Sequence, residues 1–307
     1  MKPARALSPV ASAAVGGLAS QHQGTPRVIA VTSGRRGVGQ STVVLLLGLA
    51  LSRLGKRVLL FDAALGQASR HTFLGIRPSL GLEEVLAGRR SLAEMIIKGP
   101  AGLEILPAAA GGMAAVDFSQ GAQLLLLQEL EECAAAYDFL LVDTGAGLAQ
   151  HVLYFNMGAQ ERLVVADADP ASVIDAYTLI KVLATKYAAR RFQVLFSRIA
   201  QPEVAQRAFA QLVKVADRFL HGTVSLSFLG IIPFDAALLE AALRQRPLAE
   251  VAALSPAGCA IAHLAQALLV QEASPSMDGS IKFFWQDLHK KAASVFCQGA
   301  SHEGQLR

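Results

Sequence analysis

Charge is scarce in this chain of 307 residues: Asp, Glu, Lys and Arg together make up 17%. That excludes a disordered acidic or basic polymer, because such chains stay unfolded through high charge and low hydrophobicity. Lys and Arg number 28 against 24 Asp and Glu, a net charge of +4 that is too small to argue for nucleic-acid binding. There are three cysteines (Cys133, Cys259 and Cys297) and no CxxC pair. A disulfide scaffold is therefore excluded, and a reducing cytoplasm is expected. Only Cys259 has a histidine near enough in sequence, His263, and one such pair is too few for a zinc site. Long apolar runs are missing too. The longest candidate, Val43 to Leu51, falls well short of the roughly 18 residues that a membrane span requires. A hydrophobic fraction of 53% and a mean hydropathy of +0.41 then leave a folded chain with an ample core.

Residues 1–26 are rich in Ala, Ser, Gly and Pro, and they read as a flexible leader rather than a signal peptide, since Pro9 and the glycines interrupt any apolar stretch. From Arg27 onward, short β-rich runs alternate with helical patterns. The expected strands are Val28–Thr32, Val58–Asp62, Leu103–Leu106, Phe139–Asp143, Leu163–Ala166, Gln193–Phe196 and Phe228–Ile232. Several are continuously apolar, as strands buried on both faces are. Helices are expected at 42–54, 120–135, 172–188 and 202–220. In the last of these Ala205, Ala208, Phe209, Leu212, Ala216 and Phe219 recur at helical spacing. Alternating β and α elements predict an α/β fold, a doubly wound, mostly parallel sheet between two helical layers. Ligands in such folds bind beyond the carboxyl ends of the strands. The core is expected over 27–270, with a linker at 271–280 and an amphipathic segment to the end.

The first strand runs into Ser33-Gly34-Arg35-Arg36-Gly37-Val38-Gly39-Gln40-Ser41-Thr42, and a helix follows at once. The template G-x-x-x-x-G-K-[ST] is met at Gly34, Gly39 and Ser41, with Gln40 where lysine belongs. Glycines let the backbone wrap an anion with its N–H groups turned inward, and the next helix points its N-terminus at the phosphates. Ser41 supplies a hydroxyl for Mg²⁺. The cation that spans the β and γ phosphates is missing, so descent from a phosphate-binding loop is expected while binding itself stays open.

Taken with the later strands, the chain resembles the MinD/ParA group of deviant P-loop ATPases, and within it the flagellar FlhG/FleN (YlxH) branch. The motifs that carry the resemblance are the loop above, Asp62-Ala63-Ala64-Leu65-Gly66-Gln67-Ala68-Ser69 after the second strand, and Asp143-Thr144-Gly145-Ala146-Gly147. The branch rests on Leu74–Pro78, Val85–Leu92, Gly99–Leu103, Pro107–Gly111 and Ser172–Tyr177. The resemblance implies ATP or ADP with Mg²⁺ as the ligand. It places Gly34 to Thr42, Ser197, Pro233, Phe234 and Asp235 around the nucleotide, with Ser41, Asp62 and Asp143 near the metal. Five positions depart from the family pattern. Gln40 replaces the loop lysine and Ala64 the acid that positions water. Arg35 replaces the signature lysine that reaches across a dimer, Arg36 a loop glycine, and Ser197 the asparagine that reads adenine. No catalytic residue is assigned, since phosphoryl transfer depends on positioning and charge, and weak or absent ATP hydrolysis is expected. Arg36 is expected to be strained if its position demands a positive φ.

The resemblance implies a regulator of flagellar number and placement, working through flagellar assembly or regulatory proteins and able to form a homodimer. Relatives of the flagellar branch begin with a D-Q-A-x-x-L-R helix that stimulates a flagellar signal-recognition-type GTPase. Residues 1–26 hold no such motif. Near the C-terminus, Ile281, Phe284, Trp285, Leu288, Val295 and Phe296 fall on one arc of a helix flanked by lysines. That pattern reads as a helix lying on the inner face of the plasma membrane, with packing on the core as the alternative. Two further functions stay open: an active MinD-like ATPase switching between monomer and membrane-bound dimer, and a ParA-like DNA-associated partition protein. The near-neutral core speaks against the second. His71, His151, His221 and His263 are scattered and suggest no metal centre. Asp169 is expected to cap the helix that starts near 171.

Overall fold

The computed structural model describes residues 26–64, 82–107, 126, 129–244 and 246–271. The expected leader, the linker and the membrane arc therefore lie outside the described residues, apart from Pro26 and Gln271. So do Leu65 to Ser69 and the 74–78 stretch.

Eight strands form one sheet: β1 (Arg27–Ser33), β2 (Val58–Asp62), β3 (Ile97–Lys98), β4 (Glu104–Pro107), β5 (Phe139–Ala146), β6 (Glu161–Ala166), β7 (Arg191–Ile199) and β8 (Ser225–Pro233). Their order is β3-β4-β2-β5-β1-β6-β7-β8. Every pairing is parallel except β3 with β4. The expected doubly wound sheet is what the chain builds. β3 was not expected, because two residues are too few to show a period. It turns back through the short 3₁₀ segment Pro100–Gly102. β5 also runs past Asp143 to Ala146, although Gly145 reads as a breaker. This extension reaches along β1 to Ser33, with a register shift between Val31 and Ser33.

Helices cover both faces. Those described are α1 (Gln40–Arg53), α2 (Leu82–Leu86), α3 (Leu92–Met95), α4 (Gln150–Gly158), α5 (Pro170–Tyr187), α6 (Pro202–Leu220), α7 (Ala236–Leu243), α8 (Leu248–Ala252) and α9 (Pro256–Val270). The expected helix at 120–135 is described only in part, and there Leu126, Leu130 and Ala134 are buried. α1 is apolar on nearly every side because it is enclosed, packed between the sheet, α9 and Leu103. Gly48 lets it approach: a Cβ there would lie 3.0 Å from Leu103 Cδ1. In α6 the inward positions are Ala205, Ala208, Leu212, Ala216 and Leu220. Phe219, expected on that face, is 54% exposed, because the helical step places Leu220 inward at the last turn. Phe219 instead lies beside Tyr177, with Arg218 over its ring. Asp169 caps α5 as expected, accepting from the backbone N–H groups of Ala171 and Ser172. Among the described residues no helix is long and apolar enough to cross a membrane.

Candidate nucleotide site

The loop between β1 and α1 sits at the carboxyl end of the central strand, where the sheet topology turns outward on both sides of β1. Gly37 (φ 88°) and Gly39 (φ 87°) occupy the left-handed region that only glycine enters without penalty. Arg36 is not among the residues with positive φ, so the expected strain at this position is absent. The reason is local: the two left-handed turns fall on the neighbouring glycines. Gly34 is needed for a different purpose, since a Cβ there would fall 2.2 Å from the Asp175 carbonyl carbon in α5. Gly39 packs equally closely on the end of β7, where a Cβ would lie 2.8 Å from Ser197 Oγ.

Gln40 is 5% exposed, and its amide is engaged by β1 and β5. Its Nε2 lies 2.6 Å from Asp143 Oδ1, 2.9 Å from the Val31 carbonyl and 3.2 Å from the Gly145 carbonyl. Its Oε1 accepts from Ser33 Oγ at 2.5 Å. Three acceptors surround one end and a hydroxyl donor the other, which fixes the orientation of the amide. A neutral side chain thus ties the loop to β1 and β5. Asp143 is 2% exposed and accepts a second bond, from Gly145 N at 3.3 Å. Asp62 ends β2 directly in register with Asp143, and the N–H of Ala64 lies 3.4 Å from Asp62 Oδ1.

A cavity of about 340 Å³ opens beside the loop. Of the residues expected around a nucleotide, Arg35, Arg36, Gly37, Gly39, Gln40, Ser41, Thr42, Ser197, Pro233, Phe234 and Asp235 line it. Gly34 and Val38 do not: Gly34 backs onto α5, and Val38 is buried in the core. Asp143 stands behind Gln40 and, like Asp62, is not part of the wall. Asp235 also has a structural task, capping α7 through Ala237 N and Leu238 N. The Arg35 guanidinium pairs with Asp169 at 3.3 Å and lies 3.7 Å from Asp175.

Arg198 was missed from the sequence. It has a positive φ of 64°, lines the cavity and donates from its guanidinium to the Gly37 carbonyl. Ile232, Leu238, Leu239 and Ala242 were missed as well, and they make one wall apolar enough for a planar base. Short apolar residues on a strand end and a helix carry no motif, so no local signal could have found them.

The residues present fit a nucleotide with Mg²⁺ in part. Ser41 Oγ is buried and has no hydrogen-bond partner among the described residues, a vacancy in its bonding that a metal or a phosphate would satisfy. Ser41 and the backbone N–H groups of the loop would hold the β-phosphate and its metal, with Asp143 and Asp62 behind. No buried cation stands at the lysine position.

The sequence matches the family described as the CobQ/CobB/MinD/ParA nucleotide binding domain over residues 29–248. The chain belongs to that family. It is 38% identical over 268 residues to the antiactivator FleN of Pseudomonas aeruginosa, covering 87% of this chain and 95% of FleN. The flagellum site-determining protein YlxH of Helicobacter pylori is 29% identical over 225 residues, 73% of this chain and 75% of YlxH. Among solved structures, MinD in the MinC:MinD cell division complex of Aquifex aeolicus superposes with a TM-score of 0.66. It is 28% identical, with 81% of this chain and 98% of that one covered. This is a P-loop nucleotide-binding fold of the MinD/ParA type, related to FleN.

Proposed function

We propose that the protein is a FleN-type regulator of flagellar number and placement that acts through contacts with flagellar assembly or regulatory proteins. The observation that carries this reading is the 38% identity extending over 95% of FleN, the whole domain rather than the nucleotide loop alone. The YlxH likeness supports the flagellar branch, and the MinC:MinD complex is a relative engaged with a protein partner. In this reading the nucleotide site binds but turns over poorly, because Gln40 is neutral and Ala64 carries no acid. The arc from Ile281 to Phe296 holds the protein on the inner membrane surface, and dimerisation accompanies that attachment. Deleting the gene in its own bacterium and counting flagella by electron microscopy tests the proposal. Changed number or placement, restored by the wild-type copy, is the expected result; unaltered flagella reject it.

A second reading keeps an active ATPase that switches between monomer and membrane-bound dimer. It is favoured by the unpartnered Ser41 hydroxyl, which stands where a metal ligand is needed. Direct measurement of turnover separates the two.

A further inference from the structure

The chain leaves β5 through a run that its composition makes loose. Gly145 (φ 78°) and Gly147 (φ 94°) both take left-handed backbone, and glycine loses more conformational freedom on ordering than any other residue. The run nevertheless continues the sheet. Ala146 stands in register with Ser33, and the Gly147 N–H donates to the Ser33 carbonyl at 2.9 Å. Gln40, the first residue of α1, holds it there. Its amide nitrogen meets Asp143 Oδ1, the Val31 carbonyl and the Gly145 carbonyl together, so one side chain joins β1, the end of β5 and the glycine run. Ser33 Oγ meets the other end of the same amide.

We propose that Gln40 is a latch that holds residues 143–147 in the sheet in place of a ligand, so that the run keeps one position whether the cavity is filled or empty. A lysine at this position carries a charge that phosphates attract. A neutral amide gains much less from a phosphate. Leaving would also break contacts to three acceptors in a place shut off from water, since Gln40 is 5% exposed. Beyond the run Leu148 is 44% exposed and α4 begins at Gln150. The latch therefore also fixes where that apolar side chain and that helix are presented. It stands without any nucleotide, while its indifference to filling rests on the reading that the loop binds one.

Hydrogen exchange of the full chain, followed residue by residue in NMR spectra, tests the latch. Gln40→Met keeps the bulk of the side chain and loses its amide contacts. In the nucleotide-free protein it is expected to speed exchange of the Gly147 amide by at least about tenfold, with the amides of β7 unchanged. Should circular dichroism show that variant unfolded, Ser33→Ala replaces it, with an expected acceleration of about threefold or more. An unchanged Gly147 rate overturns the latch. Equal acceleration throughout β7 overturns it too, because the side chain then supports the whole fold rather than this run. A non-hydrolysable Mg-ATP analogue, added at a concentration that calorimetry shows to be saturating, is expected to leave the wild-type Gly147 rate within about twofold. A larger change overturns the indifference to filling. No heat of binding with the analogue or with Mg-ADP rejects the nucleotide reading instead, and the variants then decide the latch by themselves.

Discussion

Arg27 and Glu161 form a bidentate ion pair where β1 and β6 begin, with side chains only 9% and 5% exposed. The same guanidinium donates to the carbonyls of Leu268 and Gln271 at the end of α9, and it faces the Phe139 ring at 5.9 Å. One residue at the start of the first strand therefore secures the last described helix. Removing Glu161 leaves a buried guanidinium whose charge the two helix carbonyls offset only in part. Glu161→Ala is expected to lower the unfolding free energy by about 3–5 kcal/mol in urea titrations. Replacing both residues by leucine is expected to cost less than that single change, since no uncompensated charge remains. A double variant as unstable as Glu161→Ala would show that the bonds to α9, rather than the pair, dominate.

Two glycines of the loop make separable demands. Gly34→Ala drives a methyl into the backbone of Asp175, and α5 must move away. Overpacking of that kind costs about 1–3 kcal/mol. At Gly37 there is nothing within 4 Å of an added Cβ, but the φ of 88° is left-handed. Gly37→Ala is expected to cost only about 1–2 kcal/mol of backbone strain. Of the two, Gly34→Ala should also broaden the amide signals of α5 in heteronuclear NMR, while Gly37→Ala leaves them unchanged.

Much of this architecture was legible because its strands are enclosed. β1, β2 and β5 read as continuous apolar runs, and the glycine-rich turn after β1 announced a phosphate-type loop. The loop's departures could be seen residue by residue. Their consequence could not, because Gln40 and Asp143 are 103 positions apart and only the parallel pairing of β1 with β5 brings them into contact. Arg198 illustrates the other limit. Its positive φ and its bond to Gly37 arise where the end of β7 meets the loop, and neighbouring residues do not encode either. Val38 shows the reverse error, since its place inside the loop motif suggested ligand contact while its apolar side chain was drawn into the core.

His151, near the start of α4, has its pKa held below the ordinary histidine value of 6.5 by burial. The unfolded chain therefore binds a proton that the folded chain resists. Stability contributed by the neutral ring is complete above about pH 6.5 and is lost as pH falls through that value toward the folded pKa. Thermal melts of wild type and His151→Asn should run parallel above pH 7. Below pH 6.5 the wild type should lose stability faster. Parallel curves down to pH 5 would show that other groups govern the acid limb.

The membrane reading makes a prediction that does not involve the nucleotide site. Trp285 is the one tryptophan of the sequence, so its fluorescence reports the arc directly. Anionic vesicles should shift its emission to the blue, and added salt should weaken the effect by screening Lys290 and Lys291. Changing Trp285 and Leu288 together to Glu should abolish co-sedimentation with vesicles while leaving the melting temperature unchanged. A large drop in melting temperature would instead assign the arc to the core.

Turnover gives the sharpest test of the loop chemistry. With no cation at Gln40 and no acid at Ala64, the wild type is expected to hydrolyse ATP at background rate. Gln40→Lys alone supplies charge to the phosphates, yet it removes the amide that holds Asp143 and Gly145, so the gain should be small. Ala64→Asp alone adds a carboxylate beside Asp62 and Asp143 with no cation to balance it, and it should gain nothing. Together the two changes restore charge and a water-orienting group, and the rate should rise by on the order of a hundredfold over either alone. Phosphate release measured under saturating Mg-ATP decides the matter. Robust wild-type turnover that disappears in Asp143→Ala would overturn the hydrolysis-impaired reading and favour the switching ATPase.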